Sequence, residues 1–507
     1  MRLSQKNITA IHPSNELHLP DASVFGLPEK VLQFGTGVFV RGLIDYFIDK
    51  ANHAGLFQGR VVMVKSTTTG DIGDLREQDG LYTLIMKSVD AGTHLEEKRI
   101  CAAVSRVLDA SRQWTDVLAC ANNPALSVVI SNTTEIGIML ELVDKVDSQP
   151  PNSFPGKLLA FLLRRYEAFD GKEESGLVIL PTELIPGNGT LLKRILNDLA
   201  EANDLPLDFI HWLNTANDFC DTLVDRIVPG KLPPEDHRQM ETLLGYEDRA
   251  MIMAETYGLW AIETQRPRTK ERLSFSGAHP GIHVVEDISK FRELKLRLLN
   301  ASHNLSCAVG YLCGFETVKE ALQNGDFNSY MEDLILEDIA MSIVDTAGIS
   351  PEEAGTFGQS VLERYRNPYI GFEWLSICVE DTNKLRIRAV PVLRQHYEKY
   401  GFVSARLALS FAAYILFMHT RQDDSGRYSG QSSGRNYTVI DEHAADLHYK
   451  WSRYSGHKLV RNVLEDVRLW GADLNTLHGF AEQVWSYLKR WLDQETLLIS
   501  DVKKLSL

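Results

Sequence analysis

The feature that most constrains this chain is a change of rhythm near residue 285. Upstream, short β-branched runs alternate with longer segments of helical spacing. The runs are 31–34 (VLQF), 61–65 (VVMVK), 126–131 (LSVVIS) and 177–180 (LVIL). Residues 40–50 and 157–169 lie between them with helical periodicity. In the second segment Leu158, Leu159, Leu162 and Tyr166 recur on one face. Short apolar strands alternating with amphipathic helices imply βαβ units and a parallel sheet. A block at 84–107, containing LIMKSV and RICAAVSRV, suits further strands on the edge of that sheet. After 282–285 (IHVV) the strand signal largely disappears. Long helical patterns follow at 290–314, 329–345, 356–365, 404–419 and 474–492. Residues 421–435 (RQDDSGRYSGQSSGR) are Ser/Gly-rich and polar, and read as a mobile surface loop. The expected fold class is α/β, with a parallel-sheet domain over residues 1–285 followed by a mostly α-helical domain over residues 286–507.

Hydrophobic residues make up 44% and charged residues 24%, which excludes a disordered, collagenous or disulfide-scaffold chain. Lys and Arg total 53 against 68 Asp and Glu, a net charge of −15. That balance argues against non-specific nucleic-acid binding, which needs basic stripes to displace counterions. It leaves a small anionic substrate open, because local charge decides that. The six cysteines contain no CxxC pair and read as idle or buried thiols in a reducing compartment. The amino-terminal stretch lacks the long apolar core of a signal peptide. The longest nearly apolar stretch, 405–418, is too short to span a bilayer of about 30 Å and reads as a buried core helix. A soluble, cytoplasmic protein without nucleic-acid or membrane partners is expected.

Directly after the run at 31–34 comes Gly35-Thr36-Gly37-Val38-Phe39-Val40, opening a helix. Glycines here allow a tight turn and let backbone N–H groups approach a pyrophosphate at the helix N-terminus. Val40 occupies the place of the third glycine of GxGxxG, so an ordinary tight turn is the competing reading. An NAD site usually carries Asp or Glu at the end of its second strand to hold the ribose hydroxyls. No acidic residue occurs from Ala51 to Gly70, and the strand closes on Lys65-Ser66-Thr67. Lys65 could meet a 2′-phosphate or nothing, so these residues leave NAD and NADP both open.

At the head of the second domain stands Lys295-Leu-Arg-Leu-Leu-Asn300-Ala-Ser-His303. Carbonyl reduction needs one group to move a proton and fixed donors to polarise the carbonyl, and Lys, Asn and His supply both. Asn300 and His303 are neighbours on a helix face. Lys295 lies about 12 Å from His303 along an α-helix axis, so convergence needs its full reach. A solvated lysine beside a satisfied core histidine is the plain alternative. His303 and Cys307 are four apart, but no third ligand stands at metal-site spacing.

Taken together, these motifs resemble the mannitol dehydrogenase family of polyol-specific long-chain dehydrogenases. The resemblance runs through QFGTGVFVRG (33–42), QDGLYT (78–83), SNTTEIGI (131–138), PTELIPGNG (181–189), TLVDRIVPG (222–230), KLRLLNASH (295–303) and RYRNPYI (364–370). It covers nearly the whole chain, and motifs in the right order are more specific than any one of them. What it implies is a Rossmann-type N-terminal domain, a helical C-terminal domain and metal-free hydride chemistry. Lys295 would be the general acid/base, Asn300 with Asn188 would hold the oxyanion, and His303 would orient a substrate hydroxyl. Asp225 would contact substrate, although an ion pair with Arg226 or a turn contact serves equally. Gly35, Thr36, Gly37, Val38 and Phe39 would line the pyrophosphate, with Asn132, Thr133 and Thr134 near the nicotinamide. Glu135 would join a proton path or make a structural hydrogen bond to a loop.

The resemblance also tips the cofactor toward NAD, and the substrate toward a keto-hexuronate and its aldonate, tagaturonate and altronate first. A hexuronate carboxylate needs a cation. Arg364, Arg366, Lys384, Arg386 and Arg388 are the candidates, with Arg364 preferred because arginine can bind a carboxylate bidentately. Gly371 stands where relatives often have lysine, which leaves the exact sugar acid undetermined. Fructuronate and mannonate, mannitol or mannitol phosphate are the alternatives, and a nucleotide-sensing protein that lost the chemistry is the rival from another class. A monomer and a small homo-oligomer are equally compatible with the pattern.

Overall fold

The computed structural model describes residues 1–12, 17–90, 93–133, 137–432, 434–494 and 499–503. Two compact units emerge, one of Met1–Ser88 with His94–Ile288, the other of Ser289–Leu507 with Val89–Thr93.

The first unit is built on a six-stranded sheet. Its strands are β1 (Glu29–Phe34), β2 (Arg60–Lys65), β3 (Val104–Asp109), β4 (Val128–Ser131), β5 (Val178–Pro181) and β6 (Asp218–Phe219). They lie in the order β3-β2-β1-β4-β5-β6, and every pairing is parallel. Val31, Met63 and Ile130 enter a core on one face, under the helix at residues 38–53. Leu32, Val62 and Val129 enter a second core on the other face, under helices Phe154–Ala168 and Asn188–Ala202. With both faces covered, the strands are apolar without alternation, as in β2, where all six residues are buried. The chain winds outward from β1 to β3, then restarts beside β1 at β4. This doubly wound Rossmann order opens a crevice at the carboxyl ends of β1 and β4.

The expectation for residues 84–107 needs correction. Only β3 joins the edge of the central sheet. Strands Tyr82–Asp90 and Thr93–Cys101 instead form a separate four-stranded sheet with Leu17–His18 and Ile252–Ala254. Burial explains the division. The first four residues of Thr93–Cys101 are exposed, and a strand of the doubly covered sheet has no room for a polar, solvated end. A third sheet joins Thr222–Asp225, Leu259–Glu263 and Ile282–Val285.

The second unit is mainly helical around one continuous core. Helix Ala405–Phe417, capped by the Ser404 hydroxyl, is buried at ten of its positions as a core helix should be. Among the described residues no helix is long and apolar enough to cross a membrane. Helix Pro351–Tyr365 starts earlier than its apolar pattern, because Ser350 and Glu353 form a reciprocal capping box.

The polar segment 421–435 is not a featureless loop. Arg421–Gln422, Tyr428–Ser432 and Arg435–Val439 make a three-stranded antiparallel sheet, with residue 433 outside the description. Its anchor is Tyr437, stacked on Phe417 at 4.5 Å and donating from its hydroxyl to the Phe417 carbonyl. Gly430 permits this, since a Cβ there would lie 2.2 Å from the Tyr437 ring.

Candidate active site

In the first unit the functional residues gather at the crevice between β1 and β4. A cavity of about 780 Å³ is lined by Gly35, Thr36, Gly37, Asn132 and Thr133, by Lys65 and the Ser66–Thr69 turn, and by Ser111. Its further wall is residues 150–154 with Lys157.

The glycines have separate tasks. Gly35 sits at φ +136°, and a Cβ there would fall 2.7 Å from the Asn132 carbonyl oxygen, so this position tolerates no side chain. Gly37 is the helix N-cap with ordinary backbone angles, and a Cβ there would meet nothing within 4 Å. Its missing side chain keeps the space above the helix N-terminus open, where unsatisfied N–H groups favour an anion. The close-packing glycine absent at Val40 is Gly42, where a Cβ would lie 2.8 Å from Val228. These features fit a dinucleotide pyrophosphate.

The turn is fixed from below. Gln33 is fully buried and donates to the Gly35 carbonyl at 3.2 Å and to Asp45 at 3.3 Å. Burial pushes the Asp45 carboxyl up to about 7 despite that hydrogen bond.

The loop after β4 is also held, by residues that were not singled out as site residues. Glu183 accepts from Ser131 Oγ at 3.0 Å, Thr133 N at 2.8 Å and Thr133 Oγ1 at 2.9 Å. Thr182 Oγ1 accepts from Asn132 Nδ2 and donates to the Ser131 carbonyl. The signal was present in the adjacent residues of PTELIPGNG. Lys157 is a second unforeseen element of the wall. Its Nζ donates to the Asn152 carbonyl, and burial lowers the pKa of its ammonium.

Other expected residues fall differently. Val38 and Phe39 pack against the sheet core and do not line the cavity. Thr134 and Glu135 lie outside the described residues. Asn188, only 1% exposed, gives its Nδ2 to the carbonyls of Pro181, Glu183 and Thr222, while Oδ1 accepts from the N–H groups of Gly189 and Thr222. Its amide ties β5 to the strand carrying Asp225, so as folded it is a brace rather than an open oxyanion donor. Asp225 ends strand Thr222–Asp225 in a buried position. The adjacent Arg226 guanidinium donates to the carbonyls of Gly42 and Glu255 and lies over the Tyr46 ring.

In the second unit the signature lies on a continuous helix over residues 289–312, whose middle, Leu294–Ala301, is π-helical. A π-turn closes between residues i and i+5. Lys295 and Asn300 are five apart and therefore share a face, which α-helical spacing denies them. His303 follows on the α-helical continuation, stacked on Tyr365 with ring centroids 4.1 Å apart and edged by Phe372. Tyr365 is held by hydroxyl contacts to the Leu299 carbonyl and Ser302 Oγ. Lys295 is 7% exposed. Asn300 Oδ1 is buried and makes no hydrogen bond among the described residues. Cys307 Sγ turns to the Asn304 carbonyl and Asp381. No group of three or more residues able to hold a metal occurs among the described residues.

The cations separate clearly. Arg366 pairs with Glu332 and Asn328, Lys384 donates to the carbonyls of Ile377 and Val379, and Arg386 reaches the Arg468 carbonyl. Arg364 is buried on the helix that presents Tyr365 to His303. Arg388 donates to Asn304 Oδ1 at 2.9 Å, and Asn304 Nδ2 donates to Asp381 at 2.6 Å. Burial lifts the Asp381 carboxyl to about 7, against the Asn304 hydrogen bond and the Lys384 charge.

Comparison with known proteins agrees with both halves. Residues 29–275 match the mannitol dehydrogenase Rossmann domain and residues 287–492 the mannitol dehydrogenase C-terminal domain. The chain is 35% identical to an altronate oxidoreductase of Bacillus subtilis over 465 residues, covering 91% of this chain and 92% of that one. It is 36% identical to an altronate oxidoreductase of Halalkalibacterium halodurans over 469 residues, 90% of each. Among solved structures, Pseudomonas fluorescens mannitol 2-dehydrogenase in ternary complex with NAD and D-mannitol aligns with a TM-score of 0.71 at 20% identity over 99% of both chains. A substrate-free D-sorbitol dehydrogenase aligns at 0.78 and 20% over the full length of both.

The two glycines should respond oppositely. Gly35→Ala is expected to lose about 1–3 kcal/mol of stability in thermal or urea unfolding, from strain and the Asn132 contact. Gly37→Ala should stay within about 0.5 kcal/mol of wild type while weakening NADH binding in a fluorescence titration. Asp381 governs a pH response. Its folded pKa lies above its unfolded one, so the folded state keeps a proton that the unfolded chain has released. This contribution to stability is full below about pH 4 and declines as pH rises toward about 7. Asp381→Asn removes the titration, and its melting temperature should gain on wild type between about pH 5 and pH 8. A difference constant over that range would contradict the assignment.

Proposed function

The chain belongs to the mannitol dehydrogenase family, and we propose that it is an NAD-dependent reductase interconverting D-tagaturonate and D-altronate in the cytoplasm. The sugar acid rests on the altronate oxidoreductases, which share about a third of its residues over nine-tenths of its length. The observation that carries the chemistry is the π-helical turn, which sets Lys295 and the buried, unbonded Asn300 amide oxygen on one face five residues apart.

Gly35, Thr36, Gly37, Asn132 and Thr133 would hold a nicotinamide cofactor, which when bound would supply hydride to the keto carbon or accept it from the carbinol carbon. Lys295 moves the proton. As an ammonium it protonates the alkoxide formed on reduction, and as an amine it takes the hydroxyl proton during oxidation. Asn300 Nδ2 donates to the developing oxyanion, and its Oδ1 accepts from a neighbouring hydroxyl of the sugar chain. His303, clamped between Tyr365 and Phe372, orients a further hydroxyl. Arg364, on the helix of that clamp, is assigned to the substrate carboxylate, and Asp225 to a substrate hydroxyl. In the first unit Glu183 and Thr182 hold Asn132 and Thr133 rigid, so that loop is in place before the cofactor arrives.

The test is NADH oxidation followed spectrophotometrically with tagaturonate, fructuronate and fructose in parallel. Fast turnover with tagaturonate alone is expected. Turnover with fructuronate alone would retain the mechanism and replace the substrate, while NADH binding without turnover of any of them would favour a nucleotide sensor. Lys295→Ala should lower kcat by about 10²–10⁴-fold, the range of general acid/base catalysis. Its NADH dissociation constant should stay unchanged, because the cofactor cavity is formed by the other unit.

A further inference from the structure

β2 ends without a carboxylate, but the neighbouring strand ends on one. β3 ends on Asp109, which pairs in register with Lys65 at the end of β2. Asp109 Oδ2 lies 3.4 Å from Lys65 Nζ, and the two side chains are 8% and 10% exposed. Among the described residues Lys65 has one other polar contact, the Thr68 carbonyl at 3.5 Å. Asp109 Oδ1 accepts from the backbone N–H of Ser111 at 3.0 Å and from its hydroxyl at 2.6 Å. Burial opposes ionisation of Asp109, but the Ser111 hydrogen bonds and the Lys65 charge outweigh it, and the carboxyl lies below the usual aspartate range. Lys65, Ser66, Thr67, Thr68 and Ser111 all line the cavity assigned to the dinucleotide.

From this arrangement we infer that Asp109 is the residue that makes the site select NAD over NADP, by neutralising Lys65 at the adenosine ribose end. The inference rests on reading this cavity as the dinucleotide site. A 2′-phosphate brings a charge of about −1.5 to −2 at neutral pH. On this wall it meets a lysine whose charge is already answered by Asp109, a carboxylate that pairs with Lys65 without lining the cavity itself. A 2′-hydroxyl carries no charge, so it needs no such cation. Were Asp109 neutral, the wall would offer the Lys65 ammonium, freed of its carboxylate, amid five hydroxyl-bearing side chains, which is what a phosphate-binding pocket needs. Selectivity therefore comes from a strand pair, and no carboxylate on β2 is required.

Asp109→Asn tests this, because the amide oxygen can still accept from Ser111 while the charge is gone. NADH and NADPH are titrated by nicotinamide fluorescence against the full-length wild type, Asp109→Asn and Asp109→Asn/Lys65→Met. Wild type should prefer NADH. Asp109→Asn should tighten NADPH binding by about tenfold, the effect of one charge-assisted hydrogen bond, with NADH affinity within about twofold of wild type. The double variant should lose the gain. Equal affinity of the wild type for both cofactors, no gain in a normally folded Asp109→Asn, or a gain that survives Lys65→Met would each overturn the inference. A second measurement uses the wild type alone. Adenosine 5′-monophosphate should displace NADH better than adenosine 2′,5′-bisphosphate does, and the reverse order would overturn the proposal even if Asp109→Asn failed to fold. The readout is binding, so it stands apart from which sugar acid turns over. Absence of any NADH binding would overturn both this inference and the cavity reading beneath it.

Discussion

Backbone meets backbone at the carboxyl end of β1, and much of the first unit follows from that approach. The turn at Gly35 runs so close to the Asn132 carbonyl that a Cβ would sit 2.7 Å from the oxygen. Gly35 N–H donates to the Val64 carbonyl of β2, and Asn132 N–H donates to the Phe34 carbonyl of β1. The ends of three parallel strands are thereby drawn to one point. A helix leaves this point with its N-terminus uncovered, and the adjacent loop carries Asn132 and Thr133. The crevice is wide enough for a dinucleotide because the chain reverses its winding here, and it is rigid because Gln33, Thr182 and Glu183 secure it from beneath.

Holding a polar crevice from beneath requires buried polar groups, and these are unequally satisfied. Asp248 is fully buried and receives hydrogen bonds from Gln78, from the Thr83 N–H and from the Ala250 N–H. Asp45 and Gln33 are equally buried, yet among the described residues Asp45 Oδ1 and Gln33 Oε1 have no hydrogen-bond partner. An unsatisfied buried group costs about 1–3 kcal/mol. A chain stabilised by that much through an apolar pair at these positions would lose the donor that fixes Gly35. Persistence of such a cost beneath the glycine turn is what a functional constraint looks like energetically.

Legibility in the sequence followed the physics of each feature. β1, β2, β4 and β5 were readable because a doubly covered sheet leaves nearly unbroken β-branched runs, and the core helix at Ala405–Phe417 because it is apolar all round. Residues 421–435 misled because their polarity reflects solvent exposure, while the sheet they form is anchored by Tyr437, just beyond the segment. The site was half visible. Gly35, Thr36, Gly37, Asn132 and Thr133, each named from its motif, line one cavity. Lys295 and Asn300 could not be joined by spacing, because a period of 3.6 cannot represent a π-turn. Glu183 meets Thr133 and Asp109 meets Lys65 through loop and strand register across the sheet, at separations where local pattern carries no information.

The same limit applies to counting charge. RYRNP and NKLRIR offer a run of cations that looks like one basic pocket, and sequence cannot rank them. In the folded unit Arg366 is neutralised by Glu332, and Lys384 and Arg386 serve carbonyl groups. Arg297, bonded to Glu293 and to the carbonyls of Ile387 and Arg388, joins the π-turn at Leu294–Ala301 to the π-turn at Leu385–Ala389. Arg388 in turn is fixed by Asn304, the residue after His303. The helix of the Lys295–His303 motif and the basic helix are thus one polar assembly. A substitution in either would therefore shift both.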